Sequence, residues 1–481
     1  MSFTTGVYPC LDGDRETRSA SVLFWDSNGL PTFQFLLLVC LLSFAAASVI
    51  GQQTSPKVNS AAPTTGPNNP KLLSDEFNKE LPKWLRFNGE YRARLEGFSG
   101  GGFKPNNSDV YLLSRLRINM VIQPGEWVKV AFQAQDAHVF WKNQNPATPP
   151  FQDAMDLRLG YLEIGDMEKK AVDVRVGRQE LAFGDERLIG NTNWLNTARS
   201  FDGLRGAYRK GGCRVDVFGA RVVQLTDGEF DLNTPGNNFY GVYGGAEKLV
   251  PKATIEAYFL WRRAANSKMK TGGTGILNFG TYGLRWIGKL QGDFDYGIEM
   301  DKQAGSVGTN SISAWAGHWV VGRTFPKTRL KPRFSVEYNH ASGDNPKNPI
   351  TIGTFDQLYP TAHDKYGLAD QVGWKNIHDA RAGVELKLAA KWTLVGRYNA
   401  WWLSNTHDAL YNATSAVIAR VPNGSAGRFV GQELDSIVAY NLARQIQLGA
   451  GYGHIFPGTF LNRATQGSSY NFPYASTTFL F

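Results

Sequence analysis

Arginine and carboxylate recur two residues apart in Leu-Arg-Phe-Asn-Gly-Glu-Tyr-Arg-Ala-Arg-Leu-Glu, residues 85–96. Arg86, Glu90, Arg92, Arg94 and Glu96 share one parity, while Leu85, Phe87, Tyr91, Ala93 and Leu95 share the other. A guanidinium stays charged and offers a planar fork that matches a carboxylate. Arginines repeated along a wall can therefore pass an anionic solute from one weak site to the next. By the same parity argument Arg92, Arg94, Arg115, Arg117, Arg175, Arg285, Arg333, Arg381 and Arg397 are the candidate anion-binding cations. Glu90, Glu299, Glu337, Glu385 and Glu433 are candidate counter-charges holding the array in place. The plainer alternative is a salt-bridge lattice that braces the fold. Arg178 falls on the apolar parity, and a bulge or strand end near Gly177 would account for it.

Such alternation needs strands to position it. On a helix at about 100° per residue, Leu85, Phe87, Tyr91 and Leu95 would scatter over more than half the circumference. On a strand they form one face. The pattern returns as Leu116, Ile118 and Met120 against Arg115, Arg117 and Asn119, and as Val172, Val174 and Val176 against Asp173 and Arg175. It returns again in 333–339 and 380–387. One alternating strand fits a solvated sheet edge equally well, but repetition at regular spacing predicts a barrel of about 18 strands, from 85–97 to 474–481. The apolar faces then meet lipid and the charged faces a wet interior. The chain has 52 Gly, 13 Trp, 19 Tyr and 29 Phe, which suits tight turns and aromatic girdles. After the leader no apolar run is long enough for a spanning helix. Longer segments at 183–200, 223–237, 343–377 and 403–428 interrupt the strands and are expected outside the cell or folded into the interior.

The apolar run Phe33–Ala47 reads as the core of a signal peptide behind an atypical acidic extension, giving a leader over 1–51. Residues 52–83 form a linker and short N-terminal segment, and 84–481 the barrel. The leader carries Arg15 and Arg18 against Asp12, Asp14, Glu16 and Asp26, a net −2, so the +9 of the whole chain becomes +11 without it. These arginines lie on strands rather than in a basic tail, which argues against nucleic acid and for an interior field acting on an anion. Cys213 alone remains after the leader, so no internal disulfide forms. The seven His residues show no metal-ligand spacing. No nucleophile elbow occurs, so neither an enzyme nor a cofactor is expected. Calcium at loop Asp and Asn residues is the one ion the composition allows, with solvated loops the default.

Three stretches resemble the alginate-export family of outer-membrane channels. They are Gly177–Gly190, continuing through Trp194, Asn196, Thr197 and Arg199 to Arg205; Ser342–Pro346 with 353–361 and 372–379; and Gly431–Asp435 with 451–458. The resemblance covers most of 85–481. It implies a monomeric outer-membrane channel with an arginine-rich pore in a diderm bacterium, passing an anionic polysaccharide such as a polyuronate. Arg199 and Arg205, within the resembling stretch, would sit near a constriction. Periplasmic secretion proteins would be partners of such an exporter. The terminal Phe481 resembles the signal read by outer-membrane assembly machinery. An uptake porin for small anions or sugar acids is the alternative. A lipid- or glycan-acting barrel enzyme and a plugged adhesive barrel are the rivals from other classes.

Overall fold

The computed structural model describes residues 72–144, 147–166, 171–389 and 391–481; the expected leader and residues 52–71 of the linker lie outside the described residues. A short helix, Leu73–Phe77, precedes the barrel. The strands are β1 (Leu85–Ser99), β2 (Ser108–Ile122), β3 (Val128–Phe140), β4 (Asp153–Gly165), β5 (Val172–Gln179) and β6 (Phe201–Lys210). Next come β7 (Cys213–Gln224), β8 (Asn237–Ala246), β9 (Ala253–Lys268), β10 (Thr274–Lys289), β11 (Phe294–Val307) and β12 (Asn310–Thr324). The last are β13 (Arg333–Ala341), β14 (Ile377–Ala389), β15 (Trp392–Leu403), β16 (Phe429–Asn441), β17 (Ile446–Pro457) and β18 (Tyr470–Leu480). Each neighbouring pair is antiparallel, and β1 pairs with both β2 and β18, so the 18-stranded sheet closes on itself. Closure satisfies the backbone of every strand, as a lipid environment demands.

Parity sets the two faces of this wall. Arg92, Arg94, Arg115 and Arg117 are buried, while Tyr91, Ile118, Val217, Leu204 and Leu434 are exposed. The charged face therefore looks into the barrel and the apolar face into lipid. Aromatic pairs sit at both ends of the outer face: Tyr240 with Trp261 towards the long loops, and Trp286 with Tyr296 and Trp392 with Tyr440 towards the short turns. Phe481 completes the seam. Its backbone exchanges hydrogen bonds of 2.8 and 3.0 Å with Gly89, and a Cβ on Gly89 would lie 2.5 Å from its ring.

Short turns join even strands to the next odd strand, and β1 begins and β18 ends at that same end. The long connections, at 180–200, 225–236, 342–376 and 404–428, all lie at the other end. Cys213 is exposed beside a short turn. Of the two explanations for Arg178, the strand end holds and the bulge does not: β5 stops at Gln179. Pairing runs unbroken through Gly177 on both sides, so Arg178 keeps its outward parity. Its guanidinium is buried against Asp202 at 2.8 Å and the Asp231 carbonyl at 2.7 Å, under the 225–236 connection. Gly177 adopts φ +117, where a Cβ would lie 2.3 Å from the Gly160 carbonyl oxygen.

Candidate functional site

Four arginines of β1 and β2 converge on three residues of the 180–200 connection. Arg92 donates to the carbonyl of Asn193 at 3.0 Å and to those of Trp194 and Leu195 at 3.1 Å each. Arg115 donates to the carbonyls of Asn193 at 2.9 Å and Leu195 at 3.1 Å, and to Glu90 at 2.5 Å. Arg94 donates to the Trp194 carbonyl at 2.7 Å and to Glu96 at 2.6 Å, with its guanidinium 3.8 Å from the Trp194 ring centre. Arg117 donates to the Asn193 side-chain oxygen at 2.6 Å and to Gln135 at 2.7 Å. The alternation of β1 and β2 is the reason these four point the same way.

The same connection reaches the opposite wall. Arg187 donates to Glu337 at 3.1 Å and Tyr366 at 3.2 Å, pairs with Asp185 at 3.3 Å, and lies 3.3 Å from His318. Between these two walls the 342–376 connection packs against 180–200. Backbone hydrogen bonds run from Tyr359 to Leu188, from Gly190 to Tyr359 and from Thr361 to Glu186, at 2.8–2.9 Å. Trp194 stacks on His363 with ring centres 3.8 Å apart, and Lys365 pairs with Asp185 at 2.9 Å. Asp356 accepts from Arg262 on β9 at 3.0 Å, and the Ala369 N–H donates to Glu433 on β16 at 2.8 Å. The two connections therefore form one plug across the lumen. Phe355, Tyr366, Leu368 and Trp374 are its buried apolar filling. The 404–428 connection packs on it, with Asp408 accepting from the Asp344 N–H at 2.8 Å.

The remaining predicted arginines each have a partner. Arg175 donates to Glu163 at 2.7 Å over the Tyr161 ring, and Arg205 to Asp216 at 2.5 Å. Arg285 donates to Glu256 at 2.5 Å and lies 4.0 Å from Glu299. Arg381 donates to the carbonyls of Asp364 at 2.8 Å and Lys365 at 3.0 Å; Arg397 pairs with the Asp364 carboxylate. Arg199 belongs to the plug itself, donating to the carbonyls of Gly190 and Pro360 at 3.0 Å. Arg333 pairs with Asp295 at 2.5 Å near the short-turn end, beside half-buried Glu385 and apart from the plug. Parity could not find Arg187, which lies in an irregular segment. Arg158, which donates to Gln133 and Glu180, was missed because shifted register on β4 turns its parity over.

Plug carboxylates are tuned by these cations. Burial works against the charge of Asp185, yet Lys365 and Arg187 outweigh it and hold the group well below the ordinary carboxylate range. For Asp364 burial is likewise overcome, by Arg397 and Arg381. Burial pushes Arg199 down to about 10. Outside the plug, burial and nearby Asp156 push Asp231 up to about 6. Among the described residues no group of three or more His, Cys, Asp or Glu is placed to hold a metal ion.

A family model described as alginate export matches residues 83–475. No curated protein matches the chain. Solved Pseudomonas aeruginosa structures share the fold. OpdQ superimposes with a TM-score of 0.55 at 10% identity, covering 84% of this chain and 99% of its own. The outer membrane protein OpdK gives 0.54 at 11% identity, with coverages of 82% and 98%. OpdK with vanillate gives 0.54 at 10%, also with 82% and 98%.

Proposed function

This chain belongs to the alginate export family, and from that premise we propose that it is an outer-membrane channel that passes an anionic polyuronate passively through its arginine-rich lumen. The observation that carries the reading is the set of bonds from Arg92, Arg94 and Arg115 to neutral backbone carbonyls at 193–195. A carboxylate offers a guanidinium two parallel charge-assisted bonds and an opposite charge, where each backbone carbonyl offers a single neutral acceptor. A carboxylate entering the lumen competes for these guanidiniums and releases the 193–195 segment. Successive carboxylates then meet Arg117, Arg175, Arg205, Arg285, Arg381 and Arg397, with Arg199 moving with the plug. Glu90, Glu299 and Glu337 keep the cations from binding too tightly, Glu433 holds the plug through the Ala369 N–H, and Arg333 and Glu385 lie at the periplasmic mouth. Movement down a gradient needs no cofactor and no bond-breaking residue, and the family and barrel support a channel over an enzyme. Direction comes from the gradient and from periplasmic secretion proteins. The channel acts as a monomer, and Phe481 on the β1 seam is the feature offered to assembly machinery.

A second reading is uptake of small carboxylates. The plug across the lumen favours it, as does the likeness to a barrel solved with the small carboxylate vanillate. Proteoliposomes loaded with polyuronate oligomers of graded length separate the two. Release of long oligomers, with none of their carboxyl-reduced counterparts, supports the polyuronate channel. Release that stops at one or two sugar units supports the small-anion porin and removes the polymer.

A further inference from the structure

The outer wall carries a charge asymmetry that transport does not use. On β7–β11 every strand carboxylate lies on the luminal parity: Asp216, Glu256, Asp295, Glu299 and Asp301. Arg221, Arg263 and Lys302 lie on the outward parity of the same strands and are exposed. They stand just beyond the apolar outer residues, on the long-loop side: Val215 and Val217 precede Arg221, Phe259 and Trp261 precede Arg263, and Ile298 and Met300 precede Lys302. Register links the two arginines, whereas Lys302 lies opposite Tyr282 and Trp315, in the row of Phe259. Asn238 of β8 is opposite Arg263, and Arg263 is opposite Asn278 of β10. Arg221 donates to Asn238 at 2.8 Å, Trp261 to Asn278 at 2.6 Å, and Lys302 to Ser313 at 2.9 Å. Asp202, opposite Arg221, is occupied by Arg178 and Asn233. Among the described residues no carboxylate forms an ion pair with Arg221, Arg263 or Lys302.

A cation on the lipid face is costly at the bilayer midplane and nearly cost-free near the interface. Long basic side chains escape that cost by extending to the headgroups. Arg221 and Arg263 sit on alternate strands, about 10 Å apart at a strand spacing of about 4.8 Å. Asn238 between them and Asn278 beyond Arg263 supply further donors, and Tyr240 packed at a tilt against Trp261 forms the apolar floor beneath. We propose that this face of β7–β11 binds a phosphorylated lipid headgroup of the outer leaflet, with the guanidiniums on its phosphates and the acyl chains against the wall below. Basic clusters at membrane interfaces recognise anionic headgroups in this way. The site is independent of the transport reading, because none of its side chains faces the lumen.

The full barrel in phosphatidylcholine nanodiscs is titrated with bisphosphorylated lipid A, with its dephosphorylated form and with inorganic phosphate, and bound lipid is counted by native mass spectrometry. The expected result is saturable binding of the bisphosphorylated lipid, at least tenfold weaker for the dephosphorylated form and for the triple variant R221Q/R263Q/K302Q. Heat-modifiable gel migration and unchanged anion conductance certify that the variant is folded. Equal binding by the variant, or of the dephosphorylated lipid, overturns the site. Saturation by inorganic phosphate at matched concentration overturns its assignment to a lipid.

Discussion

Arginine at positions 92, 94 and 115 does two jobs, neither of which is to pair the strands. Each guanidinium is buried, and each grips the carbonyls of 193–195 as well as facing the lumen. Arg92→Ala with Arg94→Ala removes four of those bonds but leaves the sheet register untouched. The pair should fold, conduct more and prefer anions less, read as a smaller reversal potential under a salt gradient. Arg187 is a different case, because it joins the wall carboxylate Glu337 to the plug carboxylate Asp185, each of which has a second cation in Arg381 or Lys365. Removing one partner of a buried pair costs about 3–5 kcal/mol when the other charge is left uncompensated, and less here because Lys365 and Arg381 remain. Arg187→Ala should therefore free the plug and raise the open-channel fraction severalfold, whereas R187Q combined with E337Q should restore much of the closed state. No restoration would show that the pair does not hold the plug. These luminal arginines were legible in sequence because strand parity fixes where a side chain points. Their partners were not, because Asn193, Asp364 and Lys365 come from irregular segments with no period to read.

At the scale of elements, all the strands were legible and the plug was not. Alternation locates β1–β18 closely, since turning one residue over would place arginine in lipid. The 343–377 segment was expected either outside or inside, and the structure folds it into the lumen against 180–200. That choice depends on complementary loop surfaces such as Trp194 on His363, which leave no pattern in sequence. Replacing 191–196 with a Gly-Ser linker should remove the arginine-held bar while sparing the wall. Conductance should rise severalfold with anion preference retained; unchanged conductance would show that this segment does not restrict the pathway. The plug should also respond to acid. Asp185 and Asp364 have carboxyl pKa values depressed by their cations, so their stabilisation is complete above the unfolded carboxylate value of about 3.9. It is lost as pH falls through the lower folded values. Conductance should be level from pH 7 to pH 5 and rise below about 4. A rise centred near pH 6 would point to another group.

The barrel has an apolar outer face and an arginine-rich inner one, whose arginines are occupied by the plug or by carboxylates of the wall. The chain's net charge of +9 favours anions at long range, and the plug decides which of them advance. The opposite parity of the two faces explains why hydropathy averaged over the chain, at −0.30, hides a membrane protein. The central claim is that carboxylates on a polymer take over arginines now held by backbone carbonyls. Single-channel recording in a planar bilayer, with reversal potential under a salt gradient and polyuronate added to one side, tests it most directly. The account predicts anion preference and brief, concentration-dependent blocks by polyuronate that vanish with its carboxyl-reduced form. Anion preference with no block by the charged polymer, or equal block by the neutral one, would contradict it.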